Sequence, residues 1–260
     1  LDNKKKTLLG ELEHVALSAA LRAADILRKG FYSDLIIEEK TGIHDVVTQF
    51  DKKAEEIIIS SIRTHFPNHS FVGEEGGTQG SLEAPVIWVI DPIDGTWNFS
   101  RQIPAFAISI AAFIDKKPAL AICLDPIANE LFIGKLGGGA AMNGRPLVVS
   151  SIATLTSAGI SLGGCVGMSN ICHISQIRRT GSAVLDLCYV AKGALDGYIE
   201  WELNLWDFAA ASLLVEEAGG KVTTLKGNPI TIDFGKTSSI VASNGKIHED
   251  LINWISTVEK

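Results

Sequence analysis

Apolar residues near the start of the chain recur at helical spacing. Leu8, Leu12, Val15, Ala19, Ala23 and Ile26 fall on one stripe, which predicts a helix over residues 8–27 with Gly30 as its stop. Thr7 is a candidate N-cap, but Gly10 stands where a capping box needs an acid or an amide. His14 falls on the polar side. A second stripe, Ala54, Ile57, Ile58 and Ile62, predicts a helix over 52–64 with Pro67 just past its end. Between the two, residues 35–39 read as a short strand or a helix remnant, and 40–48 as a loop or hairpin. Residues 70–73 read as a strand and 76–83 as a mobile loop. The run 86–90 is short, continuous and β-branched, the pattern of a buried strand. Pro92 is expected to end it, having no N–H to give the ladder.

Past Phe99 the pattern changes from helical to extended. Residues 106–114 and 119–124 are apolar runs around Asp115-Lys116-Lys117-Pro118, a predicted hairpin. Residues 131–135 and 140–150 continue as short strands, interrupted by Gly137-Gly138-Gly139 and by the Asn143-Gly144 turn signal, so the middle of the chain reads as a β-meander. Residues 157–162 read as another strand, and 163–174 show no helical stripe. A helix over 183–192 follows, with Val184, Leu187, Cys188 and Ala191 on one face and Gly193 as its stop. Strands over 196–200, 221–224 and 240–242, a helix over 208–218 ended by Gly219-Gly220, and an amphipathic helix over 246–258 complete the chain. Helices interleaved with strands, and a meander kept apart from the parallel-type segments, predict an α+β fold of mixed α/β layers. No repeat, low-complexity tract or long linker divides it. Residues 1–260 are therefore expected to form a single domain, with an N-terminal α+β half to about 150 and a C-terminal α/β half from about 151.

Composition narrows the function classes. The 260 residues are 46% hydrophobic and 20% charged, ordinary for a folded soluble protein. The net charge of -7 argues against broad electrostatic binding to nucleic acid or to an anionic membrane. Lys4, Lys5 and Lys6 read as a solvated tail. No apolar run reaches membrane-spanning length, and the first residues lack the order of a signal peptide. With Leu at position 1, an upstream trim is expected. Cys123, Cys165, Cys172 and Cys188 form no CxxC pair and have no histidine at zinc spacing. Cys123 and Cys188 sit in apolar runs as buried, reduced thiols would, which fits a reducing compartment and a cytoplasmic location.

The candidate chemistry gathers at strand exits and helix starts. Asp91 and Asp94 leave the apolar strand around Pro92, and Gly95 and Thr96 then offer backbone N–H groups where a helix can begin. Two acids for a hard cation beside donors for an anion fit a metal-assisted phosphate site. Equally, the acids of such a turn can cap backbone groups and do nothing more. Glu74 stands at the exit of the strand over 70–73. Asp51 and Asp207 stand at the starts of two predicted helices, where each reads first as an N-cap. No phosphate loop, zinc-protease, nucleophile-elbow or CxxC motif offers a different engine. Carboxylates and water suit Mg2+, which takes a phosphate oxygen as a further ligand.

GEE at 73–75, DPIDGTWNF at 91–99 and WDFAAASLLVEEAGG at 206–220, in that order and spacing, resemble the inositol monophosphatase family of metal-dependent, lithium-sensitive phosphatases. The resemblance runs from about Leu8 to the C-terminal helix. It implies an alternating αβαβα layered sandwich of the sugar-phosphatase type and a homodimer. It also implies an Mg2+-dependent phosphomonoesterase that uses metal-activated water on myo-inositol monophosphate or a related sugar phosphate. Residue by residue, it implies that Glu74, Asp91, the carbonyl oxygen of Ile93 and Thr96 hold a first Mg2+. Asp91, Asp94 and Asp207 would hold a second. A third, weaker Mg2+ near Glu74 would make the attacking water, with Asp51 and Thr96 close by, so Glu74, Thr96 and Asp51 are the implied catalytic residues. Asp51 matches the aspartate of the family's VTxxD stretch, here Val47-Thr48-Gln49-Phe50-Asp51, and Lys40 matches a lysine before it. Backbone N–H groups of Gly95 and Thr96 would cradle the phosphate, with Glu75 in a supporting role. On the substrate side, Glu200 lies seven residues before Asp207, where the family keeps an acid for sugar or inositol hydroxyls. Gly181-Ser182-Ala183 matches a segment that lines the polyol.

Asn98-Phe99 favours the inositol and sugar phosphate branch over phosphatases for adenosine bisphosphate. Three features depart from the family pattern. Trp97 stands where Thr is common, Asn204 where some relatives have histidine, and the segment 163–178 is short, as in members that also take fructose 1,6-bisphosphate. They leave fructose 1,6-bisphosphate or a nucleotide phosphate such as NADP as alternative substrates on the same site. The alternative from another class is an interaction protein whose phosphatase site is secondary.

Overall fold

The first apolar stripe forms α1 (Asn3–Phe31) and the second forms α2 (Gln49–His65) in the computed structural model, which describes residues 3–42, 45–163 and 174–258. The two helices pack on each other and on one face of a large sheet. Because α1 begins at Asn3, Thr7 lies inside the helix rather than at its start. Between them, β1 (Ile37–Gly42) and β2 (Asp45–Thr48) pair antiparallel, so the hairpin reading of this stretch holds.

The large sheet has the order β10-β9-β8-β7-β6-β5-β3-β4. Its strands are β3 (Ser70–Gly73), β4 (Gly77–Gln79), β5 (Val86–Asp94), β6 (Ala107–Ile114), β7 (Lys117–Asp125), β8 (Glu130–Lys135), β9 (Gly139–Met142) and β10 (Arg145–Pro146). From β6 to β10 it is the expected meander. Alternate residues explain why the central strands are mostly apolar. Trp88 and Ile90 of β5 face the side of α1 and α2, while Ile87 and Val89 face the opposite side. On β6, Ile108 and Ile110 take the first side, and Ala111 and Phe113 the second. Both faces are covered, which leaves little room for polar residues; Ser109 of β6 is buried with its hydroxyl donating to Trp206 O at 3.2 Å.

Two expectations change here. The stretch 76–83, read as a mobile loop, contains β4, which gains its order by pairing with β3 rather than from its own sequence. Pro92 does not end β5. Pairing with β6 slips between Asp91 and Asp94, and the resulting bulge accommodates a residue that has no N–H.

A second sheet has the order β12-β11-β13-β15-β14. It is built from β11 (Gly159–Leu162), β12 (Gln176–Arg178), β13 (Gly197–Leu203), β14 (Lys221–Thr224) and β15 (Ser238–Ser243). β12 was not expected from sequence; it is a three-residue edge strand parallel to β11. Helices α4 (Ala183–Ala191) and α5 (Leu205–Glu217) fill the space between the two sheets, and α6 (His248–Val258) covers the outer face of the second. The layers therefore run αβαβα. Cys123 and Cys188 are free and buried in the middle layer's core, while Cys165 and Cys172 lie outside the described residues. Among the described residues, no helix is long and apolar enough to cross a membrane.

Candidate active site

The site forms where parallel strands end. β3 and β5 run in register from Ser70 opposite Ile87 to Gly73 opposite Ile90, so Glu74 and Asp91 leave the sheet side by side at its carboxyl edge. The Glu74 N–H still donates to Ile90 O at 3.2 Å. Asp91 accepts the Ile93 N–H at 2.9 Å, which closes a tight turn. Asp94 then reaches the start of α4, where it accepts the Val184 N–H at 2.8 Å and the hydroxyl of Ser182, the N-cap of that helix. Gly95 follows with φ 95°, and a side chain there would come within 3.1 Å of Ala105 O and 3.3 Å of Gly181 O. Glycine alone meets both demands.

Next comes the short helix α3 (Thr96–Ser100). Its buried Asn98 donates to Ala105 O at 2.7 Å and to Thr180 O at 2.9 Å, which ties this turn to the loop ahead of α4. The Thr96 hydroxyl lies 3.0 Å from Asp51 Oδ1 and 2.9 Å from Ile93 O. Having one hydrogen, it can donate to either and accept a proton in exchange. Trp97 is 42% exposed on the outside of α3, with the Arg101 guanidinium 5.5 Å from its ring centroid.

Asp51 and Asp207 are not the N-caps that their positions promised. The N-cap of α2 is Thr48, with extended backbone at φ −114° and ψ 166°, and that of α5 is Asn204, at φ −73° and ψ 161°. Each aspartate sits at the third helical position and turns back to the N-cap amide. Asp51 Oδ2 accepts the Thr48 N–H at 2.8 Å and the Thr48 hydroxyl at 2.6 Å. Asp207 Oδ2 accepts the Asn204 N–H at 2.7 Å.

Asp91, Asp94 and Asp207 each offer an oxygen within 4.8 Å of the others. Burial raises all three above the ordinary carboxylate range, and the negative charge of Glu74 adds to each. Asp94 is pushed up to about 7 even though Ser182 and Val184 oppose the burial. Asp51 rises to about 6, again through burial, with Thr48 and Thr96 pulling the other way. Carboxylates that converge in a dry site and repel one another fit a hard divalent cation, which relieves both costs together.

Beside this cluster lies a cleft of about 260 Å3, lined among others by Gly181, Ser182, Ala183, Glu200 and Asp207. Ser182 has its hydroxyl committed to Asp94. Glu200 accepts the Trp201 N–H at 2.9 Å, with the Tyr198 hydroxyl 3.5 Å away, and burial raises it above its ordinary range. Asp186 also lines the cleft and was missed from sequence. It is buried, rises to about 6 and has Oδ1 without a hydrogen-bond partner among the described residues. An acid one helical turn after Ser182 in an otherwise apolar helix was the available signal. Glu55, one turn after Asp51 in α2, was missed in the same way; it accepts two amides next to Glu74. Lys40 falls in β1, but its side chain is outside the described ones, as are residues 164–173 of the short segment before α4.

Comparison with known proteins places the chain in a family and a fold. The sequence model of the inositol monophosphatase family matches residues 8–260. The chain is 39% identical over 249 residues to the Nus factor SuhB of Escherichia coli, covering 90% of this chain and 91% of that one. The inositol monophosphatase of Anabaena (Nostoc) superposes with a TM-score of 0.83 at 35% identity, over 97% of this chain and 96% of that one. An IMPase/NADP phosphatase solved with Mg2+ and phosphate superposes with a TM-score of 0.87 at 28% identity, over 95% of both chains. The chain therefore belongs to the inositol monophosphatase family.

Proposed function

We propose that the protein is an Mg2+-dependent phosphomonoesterase that hydrolyses myo-inositol monophosphate or a related sugar phosphate. The observation that carries this reading is the convergence of Asp91, Asp94 and Asp207 within 4.8 Å, beside a cleft lined by further carboxylates. Glu74, Asp91 and the Ile93 carbonyl would hold one Mg2+ with Thr96 alongside, and Asp91, Asp94 and Asp207 a second. A third would sit near Glu74. Bound there, Mg2+ supplies charge neutralisation at the phosphate and lowers the pKa of water.

The chain's own residues do the rest. Backbone N–H groups of Gly95 and Thr96 orient the phosphate. Thr96 orients the attacking water, takes its proton on Oγ1, and passes its own hydrogen to Asp51 Oδ1, 3.0 Å away. Asp51, raised to about 6, is a carboxylate at neutral pH and basic enough to accept it. Glu200 and the Gly181–Ala183 backbone receive polyol hydroxyls. Acceptors of this kind suit a neutral, hydroxyl-rich leaving group better than an acidic one.

Phosphate release from purified protein tests the reading against a panel of myo-inositol monophosphate, fructose 1,6-bisphosphate and NADP. The expected result is highest kcat/KM on the inositol ester, loss of activity on chelation, recovery with Mg2+ and inhibition by Li+. Activity indifferent to chelation overturns the reading, and preference for fructose 1,6-bisphosphate or NADP replaces its substrate.

A second reading is favoured by the relative from Escherichia coli, which is a Nus factor. In that reading the fold works through a protein partner, and hydrolysis is secondary. A variant without metal ligands that still rescues a deletion strain supports it; loss of rescue removes it.

A further inference from the structure

Two acids on α2 face the same way, four residues apart, and reach two different loops of the site. Asp51 meets Thr96 beyond the end of β5. Glu55 meets the turn beyond the end of β3: its Oε2 accepts the Glu75 N–H at 3.0 Å and its Oε1 accepts the Gly76 N–H at 2.6 Å. Those amides immediately follow Glu74, whose own N–H is held by Ile90 O at 3.2 Å. The Glu74 backbone is thus bracketed, by the sheet on one side and by Glu55 on the other.

The fit leaves no slack. Glu55 is only 3% exposed, although it carries a carboxylate and has no cation bonded to it among the hydrogen bonds described. A Cβ on Gly73 would overlap the Glu55 carboxyl, and one on Gly76 would come within 2.7 Å of Glu55 Oε1. At both glycines the space that a side chain would take is filled by the carboxyl of Glu55, so the carboxylate lies directly against this backbone. Burying an acid is costly, and the two N–H groups it satisfies are the compensation visible here. A helix cap or a surface ion pair would not require that arrangement.

We propose that Glu55 is the positioning residue for Glu74. By clamping the two amides after Glu74, it sets where that carboxylate points and hence how tightly the site takes its metal. Polyol binding lies on the far side, at α4 and β13, and is independent of it. Together Asp51 and Glu55 make α2 a rigid spacer between the two loops that carry the acids. The proposal rests on the phosphatase reading, and its test includes measurements made without substrate.

The first measurement is amide hydrogen exchange in metal-free protein. Glu55→Gln sets an amide NH2 against one of two N–H donors, so exchange at Glu75 and Gly76 is expected to rise about tenfold or more. The second is calorimetric Mg2+ titration without substrate, where affinity is expected to fall about tenfold in the same variant. If turnover is present, the Mg2+ needed for half-maximal activity rises by a similar factor, while KM for the phosphate ester stays within about twofold. Gly73→Ala, whose new methyl would meet the Glu55 carboxyl, is expected to behave the same way and to add little in a Glu55→Ala background.

A Glu55→Gln protein with lowered melting temperature but unchanged Mg2+ affinity makes Glu55 merely structural and overturns the proposal. So does full additivity of Gly73→Ala with Glu55→Ala. Absence of phosphate release from the wild type counts against the phosphatase reading alone, because exchange and calorimetry still decide the role of Glu55.

Discussion

Helices α2 and α5 begin in the same way, with an acid at the third position whose carboxylate returns to the N-cap amide: Asp51 to Thr48 and Asp207 to Asn204. The surroundings of the two acids differ. Asp51 takes a second donor from the Thr48 hydroxyl and has the Thr96 hydroxyl on its other oxygen. Asp207 faces Asp94, Glu74 and Glu200, all of the same sign. Burial is the main cause of the rise in both, but donors hold Asp51 to about 6, whereas burial takes Asp207 well above its ordinary range with Asp94 and Glu74 adding to the rise. One capping motif thus yields a carboxylate with several donors from the chain and another with one such donor among like charges, where the proposed cation would relieve the repulsion. The first suits proton transfer and the second suits metal binding.

The largest expected effect comes from exchanging each acid for its amide. Asp207→Asn keeps an oxygen for the Asn204 N–H but removes the charge of a proposed ligand, so phosphate release is expected to fall about a thousandfold or more. Its metal-free form should melt about 2–6 °C higher, because one of several repelling buried acids is gone. Asp51→Asn can still accept from Thr48 and donate to Thr96. It is expected to lose about a hundredfold in kcat with its Mg2+ midpoint unchanged. Rate assays across Mg2+ concentration, with melting in chelator, check both. A shifted Mg2+ midpoint for Asp51→Asn, or a lower melting point for Asp207→Asn, breaks the contrast.

A smaller effect is expected on the pH dependence of the metal-free fold. Asp94, raised to about 7, and Asp51, raised to about 6, hold more protons when folded than when unfolded. Their contribution is complete below the unfolded carboxylate pKa and is lost as pH climbs through about 6 to 7. His248 has the opposite sign. It is buried between the hydroxyls of Thr223 and Ser243, at 2.9 and 2.8 Å, and burial lowers it to about 4. Its contribution is present above the unfolded histidine pKa and is lost as pH falls through about 4. Because the acids outnumber it, protein in chelator is expected to melt about 5 °C higher near pH 5 than near pH 8. Saturating Mg2+ should reverse that order by keeping the carboxylates ionised. A chelated melting point that rises from pH 5 to pH 8 contradicts the electrostatic half of the comparison.

How much of this could be read from the chain follows from the same contrast. The stripes of α1 and α2 and the apolar runs of β5, β6 and β7 were legible, because a helix buried on one face leaves a periodic stripe and a sheet covered on both faces leaves a continuous apolar run. The acids of the site were legible as a set, through the family motifs around Glu74, Asp91 and Asp207. The cap assignments were not. Thr48 and Asp51, like Asn204 and Asp207, are all capping residue types, and only backbone conformation distinguishes an N-cap from the third position. Glu55 and Asp186 were passed over because helical periodicity counts an acid as a solvent-facing position, whereas here each is buried against polar backbone or a cleft. Short β4 and β12 owe their order to neighbours that lie elsewhere in the sequence.

The smallest expected effect isolates the donor that separates the two helix starts. The Thr48 hydroxyl accepts the Phe50 N–H at 3.1 Å and donates to Asp51 at 2.6 Å, so it joins the cap to the proposed proton acceptor. Thr48→Ala removes both bonds and is expected to cost about 1 kcal/mol, or about 2–4 °C in melting temperature. It also removes a group that pulls Asp51 down, so Asp51 should rise above about 6 and carry the acid limb of the pH–rate profile upward with it. Thr48→Ser keeps the hydroxyl and should restore the profile. A cap lost without any movement of that limb would mean that Asp51 takes no proton in the rate-limiting step, and α2 would then differ from α5 in structure alone.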